Sequence, residues 1–215
     1  MECSQETWDK EPYPNTRTLY YCGKSEIPNS ERVFHSPQYN EDLSQLAMRT
    51  LEAFEYSLTL DWDFMARPHS STYVHKPNLV AHIETLPKTN LISGLMTSGP
   101  EPFIWGGGHY IFSRDVIERI VEQKEQWRND LMEDGSITVM SRYFNIPVHP
   151  GKTSTIDQKP NGYDVLLYNG GENFSFTDFA EFPEKAKGHF YVRLKQDFDR
   201  SQDLLIMREL DRVWK

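Results

Sequence analysis

Apolar residues recur along the chain with two different periods, and this pattern predicts helices alternating with strands. Residues spaced by three and four mark amphipathic helices, which we expect within residues 43–58, 79–86, 116–127, 137–144 and 204–214. Compact β-prone runs lie at residues 18–23, 32–34, 63–66, 91–96, 103–105, 163–168 and 189–195. This alternation predicts a layered α/β fold with a mostly parallel central sheet. Residues 151–162 are expected to form a surface loop, and residues 169–188 an irregular segment.

Several helix starts are marked by residues that suit a first turn. Asn40 and Ser113 have side chains typical of N-caps, and Pro77 suits the first helical position. Glu133-Asp134 precedes the helix that carries Ile137, so Asp134 is a further candidate N-cap. The chain shows no internal repeat, and residues 1–215 are expected to form a single domain.

Composition and charge narrow the classes of function. The chain has 215 residues, and its 38% hydrophobic and 26% charged content is typical of a folded protein. A net charge of −9 argues against a broad surface for nucleic acid. Cys3 and Cys22 are too few for a disulfide scaffold and lack metal-ligand spacing. Because no apolar run approaches the roughly 20 residues of a membrane span, we expect a soluble, cytoplasmic protein.

Two loops stand where an α/β fold commonly binds a ligand. His69-Ser70-Ser71-Thr72 follows the strand at 63–66, and ligands of open α/β sheets bind beyond the carboxyl ends of strands. The alternative is that these hydroxyls only cap a turn. Gly106-Gly107-Gly108 follows another strand and either lets the backbone approach a ligand closely or makes a tight turn. It lacks the spacing of a dinucleotide fingerprint and the lysine of a phosphate loop.

Two groups of charged residues could carry chemistry. A partly desolvated carboxylate at Asp134 could act as a general base, although the N-cap role would lower its basicity. His189, Arg193 and Lys195 alternate along the predicted strand at 189–195, so they share one face. Such a face could hold a diphosphate and stabilise the charge that develops on a leaving group. The alternative is a solvated edge strand whose cations pair with acidic residues.

Taken in order, several motifs resemble those of one enzyme family. The motifs are Glu6-Thr7-Trp8-Asp9-Lys10, Arg49-Thr50-Leu51, Asp63-Phe64-Met65-Ala66-Arg67 with Ser71-Thr72-Tyr73-Val74, the block from Trp105 to Asp115 (WGGGHYIFSRD), and Glu133-Asp134. They resemble the β-1,3-galactosyltransferase and fringe-like glycosyltransferases, and more closely the soluble viral and bacterial relatives of those enzymes. The resemblance spans roughly residues 5 to 195, and it rests on the order and spacing of motifs that are individually weak.

The resemblance implies a GT-A fold, a three-layer α/β/α domain with a nucleotide-sugar donor, in particular a UDP-sugar, and inverting transfer to a hydroxyl of a glycan or other acceptor. Asp134 would be the catalytic base. Donor-binding residues would be Arg49, Arg67, His69, Ser70, Ser71, Thr72, His189, Arg193 and Lys195. Residues near the acceptor or sugar would be Trp105, Gly106, Gly107, Gly108 and Glu133.

The chain departs from the family in two places. Where the metal-dependent members carry an acidic triplet, it has His69-Ser70-Ser71, which offers no carboxylate to Mn²⁺ or Mg²⁺. No metal ligands are therefore assigned, the need for a metal is left open, and Arg193 and Lys195 are the expected substitutes. The motif at Thr7-Trp8 lies so close to Met1 that no room is left for the family's first strand.

Two other functions remain compatible with these residues. One is a noncatalytic nucleotide-binding or carbohydrate-binding module that keeps the fold without the chemistry, because fold does not determine function. The other is a phage glycosyltransferase that acts on modified DNA bases. In that case nucleic acid would be an acceptor, although duplex binding normally uses many basic contacts. The sequence predicts no membrane partner and leaves the oligomeric state open.

Overall fold

The computed structural model describes residues 2–97, 101–106, 109–150, 152–159, 162–169, 172–176, 189–195 and 203–214. The helices are α1 (Glu2–Glu6), α2 (Leu46–Ser57), α3 (Lys76–Ile83), α4 (Arg114–Glu122), α5 (Glu133–Tyr143) and α6 (Asp203–Val213). The strands are β1 (Tyr20–Cys22), β2 (Val33–His35), β3 (Phe64–Pro68), β4 (Thr72–Val74), β5 (Ile92–Gly94), β6 (His109–Ser113), β7 (Val148–Pro150), β8 (Lys152–Lys159), β9 (Gly162–Asn169), β10 (Glu172–Phe176) and β11 (Tyr191–Lys195). The protein is thus a mixed α/β fold, as the apolar periods predict.

The strands form three sheets with mixed strand directions. A two-stranded sheet contains β1 and β2, a four-stranded sheet has the order β3-β6-β5-β7, and a five-stranded sheet has the order β10-β9-β8-β11-β4. Within the described strands, only β1–β2, β5–β7 and β8–β11 pair in parallel. The other ladders are antiparallel. The expectation of a mostly parallel central sheet is therefore wrong.

The region after α5 explains much of this difference. β8 and β9 pair antiparallel from Lys152↔Asn169 to Lys159↔Gly162, and β10 continues the meander. Consecutive strands joined by a short turn must run antiparallel, whereas parallel neighbours need a longer crossover. The surface loop expected at residues 151–162 is instead largely strand. The irregular segment expected at 169–188 contains β10, and residues 177–188 lie outside the described residues.

Helix α2, which follows β2, begins later than the candidate N-cap Asn40 predicts. Asp42, not Asn40, caps the first turn: its Oδ1 accepts from the backbone N–H of Ser44 at 2.9 Å. That turn is a 3₁₀ turn over Leu43–Gln45, and α2 begins only at Leu46. Asn40 is therefore wrong as the N-cap.

The other predicted starts are close to the observed ones. Pro77 lies in the first turn of α3, but His75 is its N-cap and accepts from the N–H of Asn78. Ser113 does precede α4, yet its hydroxyl accepts from the N–H of Leu91 at 3.0 Å and makes no capping bond. The strand expected at 103–105 is reduced to a single bridge between Met96 and Ile104.

Strand β6 lies at the centre of the core and is buried on both faces. Phe112 packs with Phe54 of α2 and Ile117 of α4 in one apolar cluster, whereas Ile111 belongs to a second cluster with Leu79 of α3 and other residues. Alternate residues of a strand face opposite sides, so helices α2, α4 and α5 cover one face and α3 covers the other. Each fully buried side chain of this size contributes roughly 1.5–3 kcal/mol. None of the helices in the described ranges is long and apolar enough to cross a membrane.

The N-terminal segment packs against the last helix. Lys10 pairs with Asp211 at 2.6 Å, and Arg208 pairs with Glu6 at 2.6 Å. The Thr7 hydroxyl lies 3.9 Å from the sulfur of Met207 on the same helix. These contacts hold residues from the two ends of the chain side by side.

Asp9 ties this segment to the rest of the molecule. It is 3% exposed, and its carboxylate accepts hydrogen bonds from Lys76 at 2.8 Å, from Thr18 at 2.6 Å, and from Tyr20 and Arg32. Burial alone would raise the pKa of Asp9, but the hydrogen bonds from Lys76, Thr18 and Tyr20 outweigh it and lower that pKa. The charged form is therefore the one that the fold stabilises.

Replacing Asp9 by asparagine should lower the free energy of unfolding by about 3 kcal/mol near neutral pH, because Lys76 would remain buried without its counter-charge. The pKa of Asp9 is lowered by folding. Its contribution is therefore present above the ordinary aspartate value of 3.8 and is lost as the pH falls through the lower folded value. Urea unfolding of wild type and Asp9→Asn across pH should show the difference shrinking on acidification. The exposed Asp130, changed to asparagine, should alter stability little at any pH.

Candidate functional site

Arg67, at the end of β3, is the centre of a buried polar cluster. Its Nε and Nη2 both donate to the hydroxyl of Tyr21, at 3.0 and 2.7 Å, and its Nη1 lies 3.3 Å from Oε1 of Glu133. The guanidinium also lies over the rings of Tyr21 and Tyr110, at 5.8 and 5.4 Å. Burial alone lowers the pKa of Arg67, but these neighbours raise it above its ordinary value, so the side chain stays charged.

The start of α5 presents two carboxylates in different surroundings. Glu133 is 3% exposed and is held by Arg67, whereas Asp134 is only partly buried. Asp134 accepts from the backbone N–H of Gly106 at 3.1 Å through Oδ2 and from that of Gly135 at 2.7 Å through Oδ1. Asp134 is therefore the more accessible carboxylate, and two backbone donors fix its orientation.

Asp134 does not cap α5. The N-cap residue is Met132, and Asp134 lies within the first turn. Its carboxylate lies near the positive end of the helix dipole and accepts from the two backbone N–H groups. The N-cap alternative for Asp134 is therefore wrong.

Gly106 fits tightly beneath the two carboxylates. A Cβ placed on it would lie 3.0 Å from Oδ2 of Asp134, 3.0 Å from the hydroxyl of Tyr110 and 3.1 Å from Oε1 of Glu133. These distances are shorter than ordinary van der Waals contacts, so a larger residue at this position would require the three side chains to shift by a few tenths of an ångström. Gly107 and Gly108 lie outside the described residues, and Trp105 is half-buried next to Gly106.

The His69-Ser70-Ser71 loop joins the four-stranded sheet to the five-stranded sheet. His69 follows β3 directly, and its Nδ1 lies 2.9 Å from the Ser71 hydroxyl and accepts from the Ser71 N–H at 3.2 Å. Ser70 is exposed, whereas Ser71 and Thr72 are fully buried. In this arrangement, Ser70 is the hydroxyl that is open to a ligand, and Thr72 is part of β4.

Arg193 of β11 reaches this loop. Its Nη1 contacts Nδ1 of His69, which joins residues 124 positions apart in the sequence. The loop is tied to the same strand by a backbone bond, from the N–H of Leu194 to the carbonyl of Ser71 at 2.8 Å. The structure therefore places a permanent positive charge beside the His-Ser-Ser loop.

β11 is an interior strand of its sheet. It pairs with β8 on one side and β4 on the other, and Phe190, Tyr191, Val192 and Leu194 are fully buried. The alternative that residues 189–195 form a solvated edge strand is therefore wrong. His189 is 7% exposed and precedes the strand, whereas the backbone of Lys195 ends it; the Lys195 side chain lies outside the described residues.

Arg49 lies near this cluster but has a different partner. Its guanidinium pairs with Glu41, whose other carboxylate oxygen accepts from the N–H of Gly23. Its neighbour on α2, Thr50, lies 3.4 Å from the hydroxyl of Tyr21. Arg49 therefore packs the end of β1 against α2, and Tyr21 is the link from that region to Arg67.

Two residues of the cluster were missed by the sequence reading. Tyr21 looked like one more β-prone residue, and Tyr110 lay inside a block that was assigned by its glycines. Tyr110 is fully buried, and its hydroxyl has no hydrogen-bond partner among the described residues. Burial raises the pKa of Tyr110 well above its ordinary value, so the hydroxyl stays protonated. A buried arginine needs acceptors and aromatic faces, but sequence spacing does not show which tyrosines supply them.

A search of the described residues finds no group of three or more His, Cys, Asp or Glu side chains arranged to hold a metal ion. Comparison with protein-family models gives no match. A search of curated proteins gives no match either.

The Arg67–Glu133 pair can be tested by a double-mutant cycle on stability. Arg67→Met should lower the free energy of unfolding by about 3 kcal/mol, because it leaves the Glu133 carboxylate buried without its partner. Adding Glu133→Gln to that variant removes the unpaired charge and should recover a large part of the loss. Urea unfolding of the wild type, both single variants and the double variant gives the coupling free energy between the two side chains. Strictly additive effects would contradict an energetic link between the two side chains.

Proposed function

We propose that the protein is a glycosyltransferase with a GT-A-like fold, which moves a sugar from a UDP-sugar to a hydroxyl acceptor with inversion at the sugar carbon. The observation that carries this proposal is a set of pairwise contacts that join separate motifs. Arg67 contacts Glu133, the neighbouring Asp134 contacts Gly106, and Arg193 contacts the loop that begins two residues after Arg67. A carboxylate and a cation are the two groups that such a transfer requires.

Asp134 is the proposed general base. It takes the proton of the acceptor hydroxyl as the acceptor oxygen forms its bond to the anomeric carbon, and the bond from that carbon to the diphosphate breaks. The hydrogen bonds from Gly106 and Gly135 hold the carboxylate in one orientation, and each of its oxygens keeps a further lone pair. The value of Asp134 in this role lies in its fixed position.

Arg193 is the proposed charge partner of the departing diphosphate. The electron pair of the broken bond leaves with the phosphate oxygen, and a guanidinium can donate two parallel hydrogen bonds to phosphate oxygens. Arginine remains protonated in proteins, so the charge needs no bound cation to be present. The contact with His69 anchors Arg193 at the loop that stands in place of the acidic triplet in metal-dependent enzymes. We therefore propose transfer that does not require Mn²⁺ or Mg²⁺.

Release of UDP from a panel of UDP-sugars, measured with and without EDTA, tests the proposed reaction directly. Turnover that survives the chelator supports a metal-independent transferase. Saturable binding of UDP without any turnover would instead favour the noncatalytic module.

Asp134→Asn should lower turnover about 100-fold or more, because the variant cannot accept the acceptor proton, while UDP affinity changes little. Asp130→Asn is the matched control: Asp130 lies one turn upstream, is exposed and pairs only with Arg128 among the described residues. It should leave turnover unchanged. Normal activity of Asp134→Asn would remove Asp134 from the base role.

Arg193→Ala should weaken UDP binding about 10-fold to 100-fold in the presence of EDTA, because it removes charged hydrogen bonds to phosphate. Arg193→Lys should retain part of the affinity, since it keeps the charge but loses the paired donors. Lys195→Ala should weaken binding in the same direction. Calorimetric titration with UDP gives the affinities, and Arg128→Ala is the control for loss of a surface arginine. Unchanged affinity in both the Arg193→Ala and the Lys195→Ala variant would overturn the diphosphate assignment.

A further inference from the structure

A concave region away from the candidate site lies where the N-terminal segment, the start of α3 and the end of α6 meet. It is a cleft of about 280 Å³. Four large aromatic side chains contribute to its lining: Trp8 and Tyr13 come from the N-terminal segment, Tyr73 from β4 and Trp214 from the residue after α6. None of these residues takes part in the Arg67–Asp134 cluster or in the Arg193–His69 contact. The cleft is therefore a separate candidate site.

Trp214 is held in place by two neighbouring rings. It meets Tyr73 edge to face, with centroids 5.5 Å apart and planes at 76°, and it meets His75 at 5.3 Å and 78°. The His75 ring also hydrogen-bonds to the backbone of Trp214, while its Nδ1 accepts from Asn78. Trp214 is only half-buried in spite of these contacts. A fixed, partly exposed indole is a preorganised surface that loses little freedom when a ligand binds.

The charges that line the cleft balance one another. Lys10 and Asp211 form an ion pair at 2.6 Å across its rim, and Lys76 and Glu11 contribute one charge of each sign. Lys76 also pairs with Asp9, but Asp9 in turn pairs with Arg32, so this adds one charge of each sign and leaves the balance unchanged. Neither an anion nor a cation is favoured by this arrangement, whereas donors and acceptors for a neutral polar ligand are both present.

The geometry favours a puckered ligand over a flat one. The two measured ring pairs at Trp214 are nearly perpendicular, so they do not provide parallel faces that would sandwich a nucleobase. A pyranose ring can place its C–H face on one aromatic ring and direct its hydroxyls to the charged rim. The volume lies just below the roughly 300–1,000 Å³ that is usual for sites of drug-sized ligands, which suits a single sugar ring.

We infer that this cleft binds one neutral pyranose unit of an oligosaccharide, with Trp214 as the main stacking surface. The inference concerns binding alone and does not depend on the proposed sugar transfer.

The test uses the full chain without nucleotide and three probes: N-acetyllactosamine, maltotetraose and chitotetraose. Saturation-transfer NMR detects binding, and calorimetry gives the affinity of each probe that binds. At least one saccharide should bind saturably, and Trp214→Ala should weaken its binding about tenfold through loss of the aromatic face. Tyr13→Ala removes another aromatic side chain from the lining and leaves the ring contacts of Trp214 with Tyr73 and His75 in place, and it should weaken binding as well.

Trp62→Phe is the control for loss of an indole, because Trp62 packs against Arg114 away from the cleft. It should leave the saccharide affinity unchanged. Asp134→Asn should also leave it unchanged, so that failure of the transferase proposal and failure of this one give different results. The inference is overturned if no probe binds saturably, or if Trp214→Ala and Tyr13→Ala, shown to be folded by circular dichroism, bind as well as wild type. Binding of uridine or adenosine in place of the saccharides would overturn it too, in favour of a nucleobase site.

Discussion

The burial of one arginine organises the candidate site. A guanidinium removed from water must find hydrogen-bond acceptors and a counter-charge, or it costs several kcal/mol. Arg67 finds them in the hydroxyl of Tyr21 and the carboxylate of Glu133. Tyr21 belongs to β1 and Glu133 to α5. The hydrogen bonds and the ion pair of Arg67 therefore fix the positions of β1, β3 and α5 relative to one another. Asp134 follows Glu133 directly, so the same interaction locates the more accessible carboxylate.

This arrangement separates structural charges from charges that a ligand can reach. Glu133 is engaged by Arg67 and is almost fully buried, whereas its neighbour Asp134 is open on one side and held by two backbone N–H groups. The arginines have different neighbours: Arg49 pairs with Glu41, Arg67 pairs with Glu133, and Arg193 contacts His69 beside the exposed Ser70. Adjacent residues of the same chemical type therefore have different roles because their surroundings differ.

Local features of the sequence predict the helices well and the sheets poorly. The apolar stripe with Val116, Ile117 and Ile120 is buried as its spacing implies, because a helix face is determined by residues three and four apart. Strand direction depends on which distant strand becomes the neighbour. The parallel pairing of β8 with β11 joins segments nearly 40 residues apart, with Tyr191 opposite Thr153, and no local period specifies that choice.

The candidate site shows the same limit. Asp134 and Gly106 can each be recognised as candidates from their motifs. Their hydrogen bond joins residues 28 positions apart, and neither motif alone predicts it. Arg193 illustrates a second difficulty. Its alternation with hydrophobic residues is equally compatible with an exposed edge and with an interior strand, and only the neighbours β4 and β8 decide between them. Chemistry-bearing residues can thus be recognised in sequence, whereas their partners are determined by the tertiary fold.

The pairing of the N-terminal segment with α6 affects the order in which the protein can assemble. Lys10 and Asp211 are 201 positions apart, and Glu6 and Arg208 are 202 apart. During synthesis at roughly 5–20 residues per second, the first segment therefore leaves the ribosome on the order of ten seconds or more before its partner exists. During that interval Glu6, Thr7 and Lys10 lack their partners on α6. Formation of this contact between the N-terminal segment and α6 is therefore a late step in assembly, because it requires both segments.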